Sequence, residues 1–346
     1  MISKKRFLIS AVLILLAAVL VCGCTGKPKP IRQTELALGT VCSVSLFDSK
    51  EKALLPASFS LISQLEGRIS KNIPDSEISK LNRNAGGSPV VLSQPVFQLL
   101  TMARKFSILS EGMFDVTIDP VVELWGIGTD HASLPDPDKL NHAVSLVDYR
   151  KVVLDRDRSS AFLPEKELAV DLGGIAKGYI ADCVKDFLVS HGAGGGIIDL
   201  GGNILVFGKK PDGSDYRIGI QDPFGGRGSS IGVVSMSEGS VVTSGIYERF
   251  FEQDGKRYHH IFDVKTGFPV ENNLSGVSIV TRESAAGDAL STAVFALGLE
   301  KGMALVEKTD GVEAVCITKN KEVYISSGLK DCFTLTDRDF TMRGAF

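Results

Sequence analysis

The stretch Asp171–Asp182, DLGGIAKGYIAD, sets an acid, two glycines and a lysine at what reads as the passage from an apolar strand into a helix. Downstream, Ile180, Val184, Phe187 and Leu188 recur at helical spacing, so the stretch predicts a helix with one apolar face. Upstream, Val152–Asp171 alternates like a hairpin. Farther on, GIIDLGGNILVFG, YRIGIQDP, SIGVVSMSEGSVVTSG, RYHHIFDV, LSGVSIVT and VEAVCITKNKEVYIS read as strands between glycine-rich turns. Before the stretch, TELALGTVCSVSLF has strand character, while 54–70 and 95–109 carry helical stripes; one more helix fits 285–299. Runs of strands broken by occasional helices predict an α+β fold of mixed, mainly antiparallel sheets with packed helices, in one domain over 34–346.

The chain's 346 residues and 44% hydrophobic content suffice for a sizeable core. A net charge of -3, with basic residues scattered, excludes a nucleic-acid footprint. At the N-terminus, MISKKRF supplies positive charge, a short apolar run follows, and then CGC. That layout predicts an export signal over 1–23, too short to span a bilayer core, then a linker over 24–33. Val21–Cys24 resembles a bacterial lipobox, so Cys24 is the expected lipidation site, with Cys22 atypical inside it. The domain is therefore expected outside the cytoplasm, on the outer face of the cytoplasmic membrane or in the periplasm. Cys42, Cys183, Cys316 and Cys332 have irregular spacing without a CxxC pair, which favours buried free thiols over a zinc site.

Glycine lets backbone amides approach an anion, and a helix start adds free N–H groups and partial positive charge, so DLGGIAKG suits a phosphate with Lys177 as a point charge. A simple tight turn reads equally well there. No GxxxxGK[ST] loop or GxSxG elbow occurs. In GDALSTAVFALG, Asp288 and Thr292 stand four apart and project from one helix face, a pair of hard oxygen ligands suited to Mg2+ or, alternatively, a helix-start acid beside a hydroxyl. In YHHIFDVKTGFPV, adjacent strand residues face opposite ways, so only one of His259 and His260 can face a given site.

Taken in order, LALGT, SEISKLN, GMFDVTIDP, DLGGIAKGYIAD, DLGGNI, VTSGIYERF, HHIFDVKTGFPV and DALSTAVFALG resemble the blocks of the ApbE family of flavin transferases, over roughly 34–328. The resemblance implies Mg2+-dependent cleavage of FAD, attachment of FMN through a phosphoester to a threonine of a target protein, and release of AMP. It implies that Asp171 and Lys177 lie at the FAD site and that the Gly174 carbonyl joins Asp288 and Thr292 around the metal. Met113, Phe114 and Asp115 match a segment along FAD, Leu38 and Phe262 match further contacts, and His260 matches a histidine beside the reactive phosphates. Implied recipients are membrane redox subunits of the Na+-pumping or Rnf type. The chain departs from the family with Leu38 for a usual Met, Val264 for a usual Pro, and Asn72 where many members carry an aromatic that stacks on FAD. The last change opens one alternative, an FAD pyrophosphatase in which water replaces threonine; a separate, non-catalytic alternative is a flavin-binding lipoprotein, against which the retained Asp288, Thr292 and His260 argue.

Overall fold

The computed structural model describes residues 30–346 apart from Arg227. The expected signal, Cys24 and most of the expected linker lie outside these residues. The first strand begins at Ile31, three residues inside the stretch expected as linker.

Nine strands form the central sheet, ordered Ile31–Ala37, Thr40–Leu46, Gly195–Leu200, Ile204–Gly208, Gly239–Gly245, Leu274–Thr281, Val312–Thr318, Glu322–Ile325 and Thr341–Ala345. Every neighbouring pair is antiparallel except the last, as the sequence predicts. Leu274–Thr281 is buried at every position. Its period-2 pattern is lost because helices cover one face of the sheet and a small sheet of Tyr216–Gln221, Ser230–Met236 and Phe333–Leu335 covers the other. Alternation sorts the neighbouring strand accordingly: Ala314 and Cys316 join the helix-side core, Val315 and Ile317 the sheet-side core.

On the helix side lie Leu54–Ile69 and Gln94–Leu109, close to their predicted bounds, with Gly173–Ser190 and Ser284–Leu297 packed between them and the sheet. The second of these ends two residues before its expected bound at Gly298, whose φ of 77° and ψ of 176° break the chain before a separate helix at Leu299–Glu307. The hairpin before Asp171 is shorter than expected. Its strands are Val153–Asp155 and Ser160–Phe162, and 163–172 is irregular, so the helix at Gly173 follows a loop and not a strand. RYHHIFDV is a strand only over Lys256–His259. Three short helices were not foreseen, Glu77–Arg83, Asp119–Trp125 and Pro137–Leu146. Both of the last two carry proline in the first turn, the first starting at Asp119 and the second capped by Asp136, and together they enclose Trp125 in a satellite core. The four cysteines named above are free, with Cys42 and Cys316 buried and Cys332 exposed. Among the described residues no helix is long and apolar enough to cross a membrane.

Candidate active site

The site is built where Gly173–Ser190 and Ser284–Leu297 lie antiparallel in direct backbone contact. A Cβ on Gly178 would fall 2.2 Å from the Ser284 carbonyl oxygen, a distance no side chain permits. Four residues on, Asp182 accepts from the Ser284 and Ala285 amides, both at 2.9 Å. At the Gly178 rung itself, the Gly178 amide donates to Asp288 Oδ2 at 3.0 Å. Four residues back, a Cβ on Gly174 would come within 3.9 Å of Thr292 Oγ1. Three rungs, each one helical turn apart, thus pair Gly174 with Thr292, Gly178 with Asp288 and Asp182 with Ser284.

Regular i to i−4 pairing would direct the Gly178 amide at the Gly174 carbonyl. The Gly178 amide also reaches Asp288 Oδ2, and the Cβ position of Gly174 faces Thr292 Oγ1, so Gly174, Asp288 and Thr292 are brought side by side. Asp288 Oδ1 stands 3.7 Å from Lys177 Nζ. Thr292 Oγ1 lies 3.5 Å from Ser244 Oγ, which is itself 2.8 Å from Ser291 Oγ. A buried carboxylate with a hydroxyl one turn away supplies hard oxygen donors, and Mg2+ commonly takes one or two carboxylates and completes its shell with water and substrate phosphate, so these residues fit that ion.

Asp171 stands at the helix entrance. Its Oδ1 accepts from Gly173 N at 2.7 Å, and its own amide donates to the Val116 carbonyl at 2.7 Å, tying the loop of Met113, Phe114 and Asp115 to the site. The Phe114 ring roofs Gly174, 3.1 Å from where a Cβ would stand. Asp115 ties its loop to a distant segment: Oδ1 accepts from the Thr117 amide and hydroxyl, and Oδ2 from the Tyr149 amide at 2.8 Å. Burial raises its carboxyl above the ordinary range.

Lys71, which the sequence reading missed, is held by Asp119, Glu123 and Asp171. Burial pulls its ammonium down, but the Asp119 and Asp171 carboxylates outweigh that and hold it above the ordinary lysine range. Asn72 follows it and is exposed.

His259 ends its strand and His260 lies just beyond it, and the two rings have different partners. His259 is buried, donates from Nε2 to the Val270 carbonyl at 3.1 Å and packs edge-on to Phe295. His260 sits 3.2 Å from the Arg249 carbonyl through Nδ1, which therefore carries the proton and leaves Nε2 as the acceptor. Burial pushes the His260 ring down to about 4, with Arg249, His259 and Lys177 acting in the same direction. At neutral pH it is an uncharged base within the field of Lys177.

Two predicted contacts lie apart from the helix pair. Phe262 packs on Trp125, ring centroids 5.8 Å apart, in the satellite core. Leu38 occupies the turn between the first two strands, partly buried against the main core. The surface recess of about 530 Å³ between Tyr258, Phe268 and Lys319 belongs to His259's side of the hairpin and has no residue of the helix pair in its wall. Besides Lys71, the reading overlooked Gly178, Asp182, Ser244 and Ser291. A signal was present: Gly174, Gly178, Asp182 and Ser284, Asp288, Thr292 are two combs with the same four-residue spacing.

The ApbE family profile matches residues 38–316. A FAD:protein FMN transferase of Treponema pallidum is 38% identical, spanning 96% of this chain and 97% of its own length. One from Klebsiella pneumoniae is also 38% identical, over 84% of this chain and 90% of its own. The crystal structure of an ApbE protein from Thermotoga maritima superposes with a TM-score of 0.82 at 27% identity, covering 87% of this chain and 98% of that one. The flavin transferase ApbE of Vibrio cholerae superposes at 0.76 and 27% identity, over 88% and 99%. With the helix-pair geometry and these matches over most of its length, the chain belongs to the ApbE family.

Proposed function

We propose that the chain is an exported, Mg2+-dependent FAD:protein FMN transferase that attaches FMN to a threonine of a target redox protein and releases AMP. The observation that carries the reading is the paired-helix arrangement of Gly174, Lys177, Asp288 and Thr292, set in a chain whose relatives are FAD:protein FMN transferases.

FAD's pyrophosphate is held at the start of Gly173–Ser190, where helix-end amides and the Lys177 ammonium meet its charge. Asp288, Thr292 and the Gly174 carbonyl would hold Mg2+, which would supply Lewis-acid neutralisation of phosphate charge. Phe114 closes the site over Gly174 and excludes water from one side. His260 Nε2 accepts the threonine proton as the hydroxyl oxygen bonds to the FMN phosphorus, while the bond from that phosphorus to the bridging oxygen breaks and AMP leaves with the electron pair. Recipients are membrane redox subunits of the Na+-pumping or Rnf type, reached from a lipid anchor at Cys24.

The test incubates the full chain with FAD, Mg2+ and a threonine-bearing recipient, and reads intact mass and released nucleotide together. An FMN-sized gain on the recipient with stoichiometric AMP, lost with EDTA and in Asp288→Ala, is the expected result. AMP and free FMN without labelling would transfer the reading to an FAD pyrophosphatase, the alternative that exposed Asn72 favours. FAD binding with neither product would leave a flavin-binding lipoprotein.

A further inference from the structure

Ser284–Leu297 carries both side-chain ligands of the proposed metal site, yet its own N-cap residue, Glu283, makes no side-chain cap. A helix start buried this deeply leaves orphan amides that need partners. Ser284 and Ala285 are fully buried, and both amides go to Asp182 from the neighbouring helix, one to each carboxylate oxygen, at 2.9 Å. A second link secures the same end: Ser284 Oγ donates to Asn203 Oδ1 at 2.6 Å and accepts from Ser240 Oγ at 2.8 Å. Asp182 lies two turns beyond Gly174 on the helix that supplies the carbonyl ligand, and its partners lie one turn before Asp288 and two before Thr292.

A slide or rotation of one helix on the other moves Asp288 and Thr292 relative to Gly174. Gly178 sets how closely the backbones approach, but a glycine surface does not by itself prevent sliding. The bidentate grip of Asp182 does, because two charge-assisted bonds to successive amides fix both translation and rotation of the helix start.

We propose that Asp182 is a positioning residue for the metal site, pinning the register in which Asp288 and Thr292 meet the Gly174 carbonyl. The inference rests on the proposed metal set and adds a residue that touches neither metal nor substrate. Asp182 acts as an outer partner of metal ligands does, through a backbone and not through a ligand atom.

The test titrates Mn2+, followed by electron paramagnetic resonance, into the full chain and into Asp182→Asn, Asp182→Ala and Asp136→Ala, with melting temperatures measured alongside. Asp136 caps Pro137–Leu146 by accepting two amides at 3.0 and 3.1 Å, and that helix carries no ligand, so its loss matches the lost cap without touching the register. Asp182→Asn keeps the side chain's shape and one acceptor, so it remains informative if the alanine variant does not fold. The expected result is Mn2+ affinity lower by about 10-fold or more in Asp182→Asn, within the range for lost outer-shell partners, and unchanged in Asp136→Ala. Turnover at saturating metal should recover in Asp182→Asn as the metal concentration is raised. Wild-type Mn2+ affinity in Asp182→Asn would overturn the positioning role and leave Asp182 a cap that serves stability alone. An unmutated chain that binds no Mn2+ would overturn the metal reading itself, and the inference with it.

Discussion

Replacing Gly178 with alanine tests the helix pair at its closest point. The new Cβ would meet the Ser284 carbonyl oxygen at 2.2 Å, its carbon at 2.5 Å and Ala285 Cα at 2.7 Å, all backbone atoms with no rotamer to change. A comfortable carbon–oxygen contact is about 3.3 Å, so the helices must part by about 1 Å. That separation takes the 3.0 Å bond from Gly178 to Asp288 out of hydrogen-bond range. Overpacking costs about 1–3 kcal/mol and a lost bond to a charged group about 1.5–3, together about 2.5–6 kcal/mol. In a domain this size the melting temperature should fall on the order of 10 °C. The displaced Asp288 should lower FMN transfer by about 100-fold, the usual penalty for a 1 Å misplacement. The assay pairs differential scanning fluorimetry with recipient mass labelling and uses Gly67→Ala as the control. Gly67 sits within Leu54–Ile69 with nothing within 4 Å of its Cβ position, so alanine there should stabilise by up to about 1 kcal/mol. A Gly178→Ala protein that melts and transfers FMN like wild type would refute the backbone contact on which the site rests.

His260→Ala should retain FAD and lose about 10²–10⁴-fold in transfer rate, the ordinary worth of a general base; an unchanged rate removes that role. His259 is pushed by burial from 6.5 to about 4, so between those values the unfolded chain binds the extra proton. Its share of stability is therefore full above about pH 6.5 and falls as the pH drops toward 4; urea midpoints across that window should fall, and less steeply in His259→Gln. Leu38 has a φ of 55° beside Gly39 at 68°, in the two-residue turn closed by the Ala37–Thr40 pair. Left-handed backbone costs leucine about 1–2 kcal/mol, so Leu38→Asn should raise the melting temperature. If Leu38 contacts FAD, the same change weakens FAD binding, which fluorescence titration reads.

Local pattern carried much of the fold because it acts over a few residues. Leu54–Ile69 and Gln94–Leu109 follow from apolar stripes at helical spacing, and the strands of the central sheet from alternation between glycine turns. The pattern failed where local signal was weak. Asp119–Trp125 is too short a run to announce a helix by its periodicity, and Trp125 finds its partners far along the chain, among them the Gly267 carbonyl, which accepts its indole N–H at 2.7 Å. Gly298 split a continuous apolar run because only its backbone conformation, and not its neighbours' hydropathy, ended the helix.

At the site, the spacing of Asp288 and Thr292 placed them one turn apart on Ser284–Leu297. That result follows from helical geometry, which is local. That Asp288 meets Gly178, that Asp182 caps the helix bearing Asp288, and that Lys71 is enclosed by Asp119, Glu123 and Asp171 depended on chain segments as far as 110 residues apart. No local rule contains such meetings. They arise when the helix side of the sheet is packed tightly enough that two glycine-faced backbones touch, and the depth of that packing decides which polar groups must find one another.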